Sequence, residues 1–542
     1  MNARDRVFGT LQGLPVDHRP VAPVLSLYGA RLTGCPLPQY YTDAAAYARG
    51  QRAVFGMFHP DLLLAPFVLS AEAAAFGSEE HFADHRPPNI CRLAAEGMTQ
   101  LGRLTVPSPD RHPRLLYVRD ALRRVRDAHG GDAIVGAVCL SPIDLPPLII
   151  GLDAWMDVLL DEGQDIERVL DLTLPFFVAW ANALLADGAD LLMLPVAFCN
   201  AGIVTRRIAE HIAVPALTRA FAAVKGPIVF HHGGGPLGPF LPFLKDLPNV
   251  VGFALGPADS LMDARLAVGP DKLLLGQIDG PSLDQQSPDD IEAECRRTLD
   301  DMAADPRFIL ATSAADIPLR TPPANVFAVT AAARGHHERT ATVPAASDAT
   351  VVVSCSAFEP GIEAMRRAGR LVHPVIYVDS VLHMFPHELE TILASVVEAL
   401  RREGRQAAVV FGDCHPHMCD LSEQAGVTRV NAINCCDLHL GRDRYRRLRR
   451  EGAFFLLPEW TGRWREIFDR ALGPQAEGVR TVMTDMHTKL VHLRPPGADV
   501  PARTLDEIAE HTGLPWEVED LDPEVFAECL TRLLRAEPGD ER

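Results

Sequence analysis

The sequence lacks an uninterrupted apolar stretch long enough to cross a membrane. A membrane-spanning helix needs about 18 or more consecutive apolar residues, and Asp, Gly and Pro interrupt the most apolar stretches of this chain, such as residues 148–160. The first residues, MNARDRVFGTLQG, are charged and lack the apolar segment of a secretory signal peptide. We therefore expect a cytoplasmic protein that does not enter a membrane.

Positive charge is scarce relative to negative charge. The 52 Lys and Arg residues are outnumbered by 71 Asp and Glu residues, so the formal net charge is −19 at pH 7. A chain of this charge repels nucleic-acid phosphates. Its one Arg-rich run, residues 442–450, is typical of a solvated helix face. We therefore expect no nucleic-acid partner.

Apolar residues are present in the proportion that folded cores need. They make up 47% of the 542 residues, and charged residues make up 23%, which is typical of globular proteins and excludes a largely disordered chain. At about 150 residues per domain the length suggests two to four domains, although a single barrel can take 250 or more.

Residues 1–333 alternate short apolar runs with longer helical patterns, such as residues 159–187 and 289–304. Most of the runs lack period-2 alternation, as expected for parallel strands covered on both faces. The predicted strands are residues 21–26, 62–68, 134–140, 191–196, 228–231, 250–254, 273–276 and 308–311. Eight strands joined by helices predict an α/β fold of the (β/α)8 TIM-barrel type.

A polar stretch without apolar periodicity, RGHHERTATVPAASDAT at residues 334–350, is typical of a linker. The second module, residues 351–542, again alternates apolar runs with helical patterns, of which residues 386–402 are the clearest. Its predicted strands are residues 351–354, 374–378, 407–411, 429–433 and 454–457. We predict a smaller α/β domain with a mostly parallel sheet.

Six motifs of the first module point to a known family. They are RDRVFGTLQGLPVDHRPVAPV, GCPLPQYYTD, GADLLMLP, PIVFHHGGG, LLLGQIDGP and FILATSAADIPLRTPPANV. In order and spacing they resemble the uroporphyrinogen decarboxylase superfamily, and GCPLPQYYTD is similar to its corrinoid-dependent methyltransferases. The decarboxylases have at that place an Arg-containing segment that grips porphyrin carboxylates. The resemblance implies a methyltransferase of one-carbon metabolism, with a corrinoid (cobalamin) carried by a small partner protein.

The zinc ligands of that branch are mostly missing. Its methyltransferases carry a His-x-Cys pair and a later Cys; here the His matches His231, but Gly233 and Ala315 stand where cysteines are expected. Catalytic zinc needs three protein ligands and an open position, so we expect no zinc of the family's type in the barrel. Either the acceptor needs no thiolate activation, as a reduced pterin would not, or the second module supplies the metal.

Barrel active sites lie at the C-terminal ends of the strands, where this chain has several polar residues. The expected catalytic residues there are His231, His232, Gln277 and Asp316. The expected substrate-binding residues are Cys199, Asn200 and Asp279. Each residue alone also has an ordinary interpretation, as a helix cap, a turn residue or a packed strand terminus.

Five of the 11 cysteines lie in about a hundred residues of the second module: Cys355, Cys414, Cys419, Cys435 and Cys436. The motifs VVVSCSAFEP, VLHMFPHELE, VVFGDCHPHMCD, NCCDLHLG and FFLLPEW resemble an uncharacterised domain family often encoded near corrinoid methyltransferases. The match places that family's cysteines on Cys355, Cys414 and Cys435, and its Leu-His…Pro motif on His383 and Pro386.

The three matched cysteines each follow a predicted strand of the second module. Thiols at the same end of neighbouring parallel strands can converge on one point. With His383 they make a four-ligand set for zinc or another soft-ligand metal. Further donors in the same loops are His415, His417, Cys419, Cys436 and His439. The alternative is that these cysteines are reduced and buried as small apolar residues.

Three functions remain open. The leading one is methyl transfer to or from a corrinoid, with a thiol or a reduced pterin as the small-molecule co-substrate. The second is decarboxylation of a tetrapyrrole. The third is non-catalytic, a scaffold that binds metal or a corrinoid protein. The oligomeric state also stays open, a homo-oligomer included.

Overall fold

The computed structural model describes residues 1–161, 165–313, 315–340, 350–415, 417–472 and 476–535. The chain divides into two compact units, Met1–Ala345 and Ala346–Arg542. They are called here the barrel unit and the second unit.

The barrel unit contains ten described strands. They are β1 (Val21–Ala22), β2 (Leu62–Leu64), β3 (Glu79–His81), β4 (Asn89–Arg92), β5 (Ile134–Val138), β6 (Leu191–Pro195), β7 (Ile228–His231), β8 (Val250–Ala254), β9 (Leu273–Asp279) and β10 (Phe308–Ser313). β3 and β4 form an antiparallel hairpin. The other eight form one sheet in the order β1-β10-β9-β8-β7-β6-β5-β2, parallel in every recorded pair. The predicted TIM-type barrel is confirmed.

Asp61 joins the two ends of this sheet, β1 and β2. Its backbone N–H donates to the carbonyl oxygen of Val21 at 2.9 Å, and its side chain accepts the N–H of Val21 at 2.8 Å. The same carboxylate pairs with Arg6, a residue of the first helix. The barrel is therefore closed at this seam by one residue and its cation.

Apolar side chains fill the inside of the barrel. Ala254 on β8 and Ala311 on β10 belong to this core cluster. His231 on β7 is in register with Ala254, and Gln277 on β9 is in register with Ala311. Because residues in register on neighbouring strands share a face, His231 and Gln277 lie on the inner face at the C-terminal end of the barrel.

Helices cover the barrel. They are α1 (Ala3–Gln12), α2 (Tyr28–Leu32), α3 (Leu37–Tyr40), α4 (Ala44–Phe58), α5 (Ser70–Ala75), α6 (Pro113–His129), α7 (Pro146–Ile150), α8 (Leu152–Asp161), α9 (Asp165–Ala186), α10 (Arg206–Ile208), α11 (Val214–Phe221), α12 (Leu241–Leu244), α13 (Leu261–Val268), α14 (Pro288–Asp301) and α15 (Pro323–Thr340). The helical stretch predicted at residues 159–187 corresponds to the end of α8 and to α9, and its residues 162–164 lie outside the described residues. In the described part of the chain, α9 alone is long and apolar enough for a membrane span, and half of its most apolar window is buried, as in a core helix.

The linker prediction needs one correction. α15 continues to Thr340, so residues 334–340, which the sequence placed in the linker, are helical. The rest of the predicted linker, residues 341–349, lies outside the described residues.

The second unit contains two parallel sheets. Its strands are β11 (Thr350–Cys355), β12 (Val375–Val378), β13 (Gln406–Val410), β14 (Val427–Arg429), β15 (Ala453–Leu456), β16 (Lys489–Arg494) and β17 (Trp516–Asp520). The four-stranded sheet has the order β12-β11-β13-β14 and the three-stranded sheet the order β15-β16-β17. The parallel α/β character is confirmed, whereas the second sheet was not foreseen. The strand predicted at residues 429–433 was misplaced, since β14 ends at Arg429.

The helices of the second unit alternate with these strands. They are α16 (Glu359–Arg367), α17 (Pro386–Arg402), α18 (Met418–Ser422), α19 (Cys435–Leu440), α20 (Arg442–Arg450), α21 (Pro458–Gly462), α22 (Trp464–Leu472), α23 (Ala476–Met486), α24 (Ala502–Thr512) and α25 (Pro523–Arg535). α17 matches the helix predicted at residues 386–402. α20 is the Arg-rich run, and several of its arginines are already paired, as Arg444 is with Glu519.

Candidate active site and metal centre

His231 is the last residue of β7 and is 2% exposed. Its Nδ1 accepts the backbone N–H of Gly233 at 3.2 Å, so the ring hydrogen is on Nε2. That Nε2 is buried without a hydrogen-bond partner. Burial, and then the neighbouring His232, lower the pKa of His231 to about 3, and the ring stays neutral at physiological pH. The inner face of the barrel thus carries one unused N–H donor.

The position of the expected first zinc cysteine cannot hold a side chain without a change of backbone. Gly233 has φ +61°, and a Cβ there would lie 2.9 Å from the carbonyl carbon of Val196. The second position, Ala315, is exposed and offers no donor. The residues present therefore do not fit the family's zinc ion, as the sequence predicts.

His232 and Asn200 are tied to each other. The Nδ2 of Asn200 donates to the carbonyl oxygen of His232 at 3.3 Å, and its Oδ1 accepts the N–H of Gly202 at 2.8 Å. The His232 ring lies 4.6 Å from that of His231, centroid to centroid, and burial lowers its pKa. Asn200 therefore fixes the loop after β6 against the end of β7, because both ends of its amide are used within the protein.

Cys199 is fully buried beside Asp144. Burial, and then the Asp144 carboxylate, raise the pKa of its thiol well above the usual range. A thiol of raised pKa is a weak nucleophile and a weak metal ligand. This environment favours a packing role for Cys199 at the mouth.

Gln277, Asp279 and Asp316 lie near the ends of β9 and β10. The Oε1 of Gln277 is buried without a partner. Asp279 is half-buried and ends β9. Asp316 accepts the N–H of Leu27 at 2.8 Å, and burial raises its pKa to about 7. The inner face of the barrel therefore carries an unused acceptor, Gln277, as well as the unused donor of His231.

The sequence did not point to two further polar side chains of the barrel unit, those of Asp144 and Tyr41. Asp144 lies beyond β5, accepts the N–H of Phe198 at 3.0 Å, and has its pKa raised to about 6 by burial. Tyr41 is fully buried, and its hydroxyl has no partner. The available signals were an Asp just beyond a predicted strand and the Tyr-Tyr pair of GCPLPQYYTD.

In the second unit, three donors come together. The Nε2 of His383 lies 3.8 Å from the Sγ of Cys355 and 4.0 Å from that of Cys435, and these three residues form a group whose ligand atoms all lie within 4.8 Å of one another. Tetrahedral zinc with N and S ligands holds its donors about 3.5–3.8 Å apart, from bond lengths of about 2.0–2.3 Å. The three donors fit one face of such a site.

Cys414 flanks this group without belonging to its tight core. Hydrogen bonding with Cys435 and then with His383, against the opposing effect of burial, lowers the pKa of the Cys414 thiol to about 5. Burial raises the pKa of Cys355, yet hydrogen bonds with Cys435 and His383 bring it down to about 6. Thiols of lowered pKa are deprotonated at neutral pH, which is the form that binds metals.

The other donors of these loops lie outside the group. His439 stacks on Phe358 with 4.5 Å between ring centroids, and burial raises the pKa of Cys436 to about 12. The Nδ1 of exposed His417 contacts Asp420 at 3.0 Å. The side chain of Cys419 lies outside the described residues. Among the extra donors whose side chains the structure describes, His415 and His439 each keep a buried Nε2 without a hydrogen-bond partner.

The chain positions of two of the three thiols differ from those expected. Cys355 is the last residue of β11 rather than the first beyond it. Cys435 begins α19, several residues after β14. The Asn434 side chain caps that helix by accepting the N–H of Asp437 at 3.0 Å. The thiols still converge because β11, β13 and β14 are neighbours in one parallel sheet.

A carboxyl residue without an assigned role, Glu459, lies beside the group. Its carboxylate accepts the hydroxyl of Ser356 at 3.1–3.3 Å, and Ser356 follows Cys355 in the chain. The ring of Trp460 stands edge-on to that of His383, with 6.2 Å between centroids. Burial, Asp379 and Cys355 raise the pKa of Glu459 to about 8. The sequence signal was the FFLLPEW motif, in which Glu459 comes just after the predicted strand at residues 454–457.

Comparison with known proteins decides the family. The model of the family "Uroporphyrinogen decarboxylase (URO-D)" matches residues 2–336, well over half of the chain. The chain belongs to the uroporphyrinogen decarboxylase family. Residues 377–530 of this family member match a second model, described as "Protein of unknown function (DUF1638)". The two resemblances inferred from the motifs are confirmed.

Its relatives include methyltransferases. The methylcobamide:CoM methyltransferase MtbA of Methanosarcina mazei is 22% identical over 307 residues, 55% of this chain and 88% of the relative. A uroporphyrinogen decarboxylase of Aromatoleum aromaticum is 26% identical over 291 residues, 51% of this chain and 73% of the relative. A solved methyltransferase from Methanosarcina mazei has the same fold, with a TM-score of 0.57 and 21% identity over 63% of this chain and all of the other. The relatives place this enzyme on the methyltransferase branch of its family.

Proposed function

We propose that this enzyme transfers a methyl group between a corrinoid, carried by a small partner protein, and a small acceptor or donor in one-carbon metabolism. In the direction away from the corrinoid, the cobalt–carbon bond breaks with its electron pair staying on cobalt. The acceptor's nucleophilic atom forms the new bond to carbon and gives up its proton. The observation that carries the proposal is the pair of unused buried polar atoms on the inner face of a barrel whose relatives transfer methyl groups.

The barrel residues have separable roles in this proposal. The Nε2–H of His231 donates to the acceptor, and the Oε1 of Gln277 accepts from it, which together fix its orientation. Asp316, with its raised pKa, exchanges a proton near neutral pH. His232, Asn200, Cys199 and Asp279 shape and hold the mouth.

Because zinc does not fit the barrel, the acceptor there is a molecule that needs no zinc activation in that unit, such as a reduced pterin. If the second unit binds a metal ion, a thiol is the co-substrate instead. We propose that this unit holds one zinc ion through Cys355, His383 and Cys435, with Cys414 alongside. Bound zinc would supply a Lewis acid that keeps sulfur ligands deprotonated.

The decarboxylase alternative has less support. A tetrapyrrole with several carboxylates needs cations in its pocket. Among the described residues of the barrel unit, Arg6 is the one buried Arg or Lys, and it pairs with Asp61 at the opposite, N-terminal end of the strands.

We also propose that the chain comprises two modules, residues 1–333 and 351–542, joined within residues 334–350. Because α15 reaches Thr340, cleavage by a protease in limiting amount should fall between Thr340 and Thr350 and leave two folded fragments.

The test is an anaerobic assay with methylcobalamin as the corrinoid and, in parallel, a reduced pterin, 2-mercaptoethanol or uroporphyrinogen. We expect enzyme-dependent demethylation of methylcobalamin, seen as loss of its absorbance, with one of the first two acceptors. Decarboxylation of uroporphyrinogen without any methyl transfer would contradict the proposal.

A further inference from the structure

The thiols at the donor group of the second unit (Cys355, His383 and Cys435) differ in their access to solvent. Cys355 and Cys435 are buried, with 0% and 3% of their surface exposed, whereas Cys414, which flanks the group, is half-buried. Cys435 hydrogen bonds with both of the other thiols. Of these three thiols, the one that a dissolved oxidant reaches first is therefore in contact with a buried thiol of the donor group.

The backbones that carry this half-buried thiol and its buried neighbour touch each other. The N–H of Asp413 donates to the carbonyl oxygen of Ile433 at 3.1 Å. A Cβ on Gly412 would lie 2.5 Å from the Cα of Asn434, so the approach depends on a glycine. A disulfide needs two Cα atoms within about 7 Å of each other. An approach this close, directly before both thiols in the chain, favours a bridge between them.

The contact between these two segments does not depend on the thiols. The side chain of Arg429 pairs with Asp413 at 2.9 Å and donates to the carbonyl oxygen of Phe411 at 3.3 Å. In the other segment, the side chain of Asn434 accepts the N–H of Asp437 at 3.0 Å. Because these bonds hold both backbones, the thiols can change their chemical state while the segments stay together.

We propose that Cys414 and Cys435 form a reversible disulfide when the chain meets a peroxide, and that this disulfide releases the metal ion of the second unit. The inference rests on the metal site proposed above and adds its regulation. Cys414 stands outside the tight donor group, so its oxidation needs no prior loss of the metal ion. Cys435 belongs to the group, so its conversion to a disulfide removes one of the three donors.

The reaction consumes one peroxide in two steps. The sulfur of Cys414 attacks one peroxide oxygen, the O–O bond breaks, and the other oxygen leaves as water. The sulfur of Cys435 then attacks the sulfur of the resulting sulfenic acid, the S–O bond breaks, and a second water leaves. Counted from the thiol forms, the two cysteines lose two electrons and two protons, which the peroxide gains. A dithiol reverses the change by thiol–disulfide exchange.

The experiment treats the full chain, loaded with zinc, with hydrogen peroxide. Mass spectrometry of unreduced peptides locates the disulfides, and a chromogenic chelator measures the zinc that is released. We expect one bridge, between Cys414 and Cys435, that forms at the rate at which zinc leaves. Dithiothreitol should then restore both thiols and zinc binding. The same mapping on a chain stripped of metal measures formation of the bridge independently of zinc.

Two variants separate oxidation from metal binding. Cys414→Ser removes the thiol that is attacked first, so it should keep its zinc and release it to peroxide at least about tenfold more slowly. Cys436→Ser is the matched control, because Cys436 is the chain neighbour of Cys435 and lies outside the donor group. This control should form the bridge and release zinc as the wild type does.

The metal site and its regulation fail in distinguishable ways. A chain that binds no zinc overturns the metal site and the release drawn from it. A chain with zinc in which peroxide forms no bridge, or a bridge between another pair of cysteines, overturns the inference and leaves the metal site standing. Loss of zinc from Cys414→Ser before peroxide is added would show that this thiol is a ligand, which overturns its separate role.

Discussion

The barrel unit and the second unit differ in what they place beyond the ends of their parallel strands. The barrel presents a neutral imidazole, an amide and carboxyls of raised pKa, and its expected cysteine position is a glycine. The second unit presents thiols around an imidazole: the pKa values of Cys355 and Cys414 are lowered, whereas hydrogen bonds with these two thiols raise the pKa of Cys435. The same sheet edge thus offers hydrogen bonds in one unit and metal ligands in the other, and the difference lies in side chains, not in topology.

The largest expected effect tests the barrel half of this comparison. His231→Ala should lower methyl-transfer activity by about 100-fold, because the only change at the inner face is loss of a positioned donor. His231→Gln, which restores an N–H, should recover part of it. The rate of methylcobalamin demethylation measures both.

The control for that series is His211→Ala, an exposed histidine outside the strands, which should keep full activity. Unchanged thermal unfolding in the His231 variants shows that the loss is not one of folding. Full activity of His231→Ala would remove this residue from the proposed site.

The next effect tests the second unit. Cys435→Ala should reduce bound metal at least about tenfold, since loss of one of three sulfur or nitrogen donors removes an anchoring bond. Cys529→Ala, a half-buried thiol on α25, should bind as wild type does. Elemental analysis of the purified chain measures both, and full retention in Cys435→Ala would show that this thiol is not a ligand.

The next prediction concerns a smaller effect and tests whether the barrel can regain the zinc-binding cysteine of its family. Gly233→Cys should bind no additional zinc and should destabilise the chain by about 1–3 kcal/mol, from the positive φ and the contact with Val196. Gly234→Cys also has a positive φ, +100°, but meets no atom within 4 Å, so it should cost less. Urea unfolding gives both values. A stable Gly233→Cys chain that gains one zinc would erase the contrast between the units.

The smallest effect over a single pH unit is a pH dependence of opposite sign in the two units. Burial raises the pKa of Glu72 in the barrel to about 8, above an unfolded value of about 4.3. The unfolded chain ionises first, so this residue makes the barrel less stable as pH rises from about 4 to 8, by at most about 1.4 kcal/mol per pH unit. Metal retention by the second unit should instead weaken as pH falls, because thiolates become protonated.

Glu72→Gln removes the ionisable group, so the barrel of this variant should lose less stability than the wild type as pH rises. The unfolding free energy of wild type minus that of Glu72→Gln should therefore decrease steadily between pH 5 and pH 8. Glu96→Gln, at an exposed position, should give a constant difference. A constant difference for Glu72→Gln between pH 5 and pH 8 would show that the carboxyl is already ionised in the folded barrel and would contradict the prediction.

Sequence patterns were sufficient for the barrel strands because buried parallel strands are continuous apolar runs. Residues 228–231 and 250–254 were predicted with the bounds that β7 and β8 have. β16 and β17 were missed because KLVHLR and WEVED mix charged residues into strands that are partly exposed, and the apolar signal is diluted there.

The site was predictable to a similar extent. Cysteines and histidine near strand ends indicated the donor group of the second unit, and three of the four predicted ligands lie within 4.8 Å of one another. The positions of Glu459 and Ser356 beside that group depend on how α21 packs, which no local pattern of residues encodes. In the barrel, the tie between Asn200 and His232 depends on a contact across 32 residues of sequence, and single-residue chemistry could not reveal it.

The seam at Asp61 has a consequence for how the chain is made. β1 consists of Val21 and Ala22, and its ladder partner is β10, in register at Leu310. At about 5–20 residues per second, a ribosome delivers that partner roughly 15–60 s after β1. Throughout that interval one edge of β1 has no strand to pair with. A strand of two residues offers little for wrong pairing, and Asp61 with Arg6 can hold its other edge as soon as β2 has emerged, so the barrel is started at its first strand and completed only at its last.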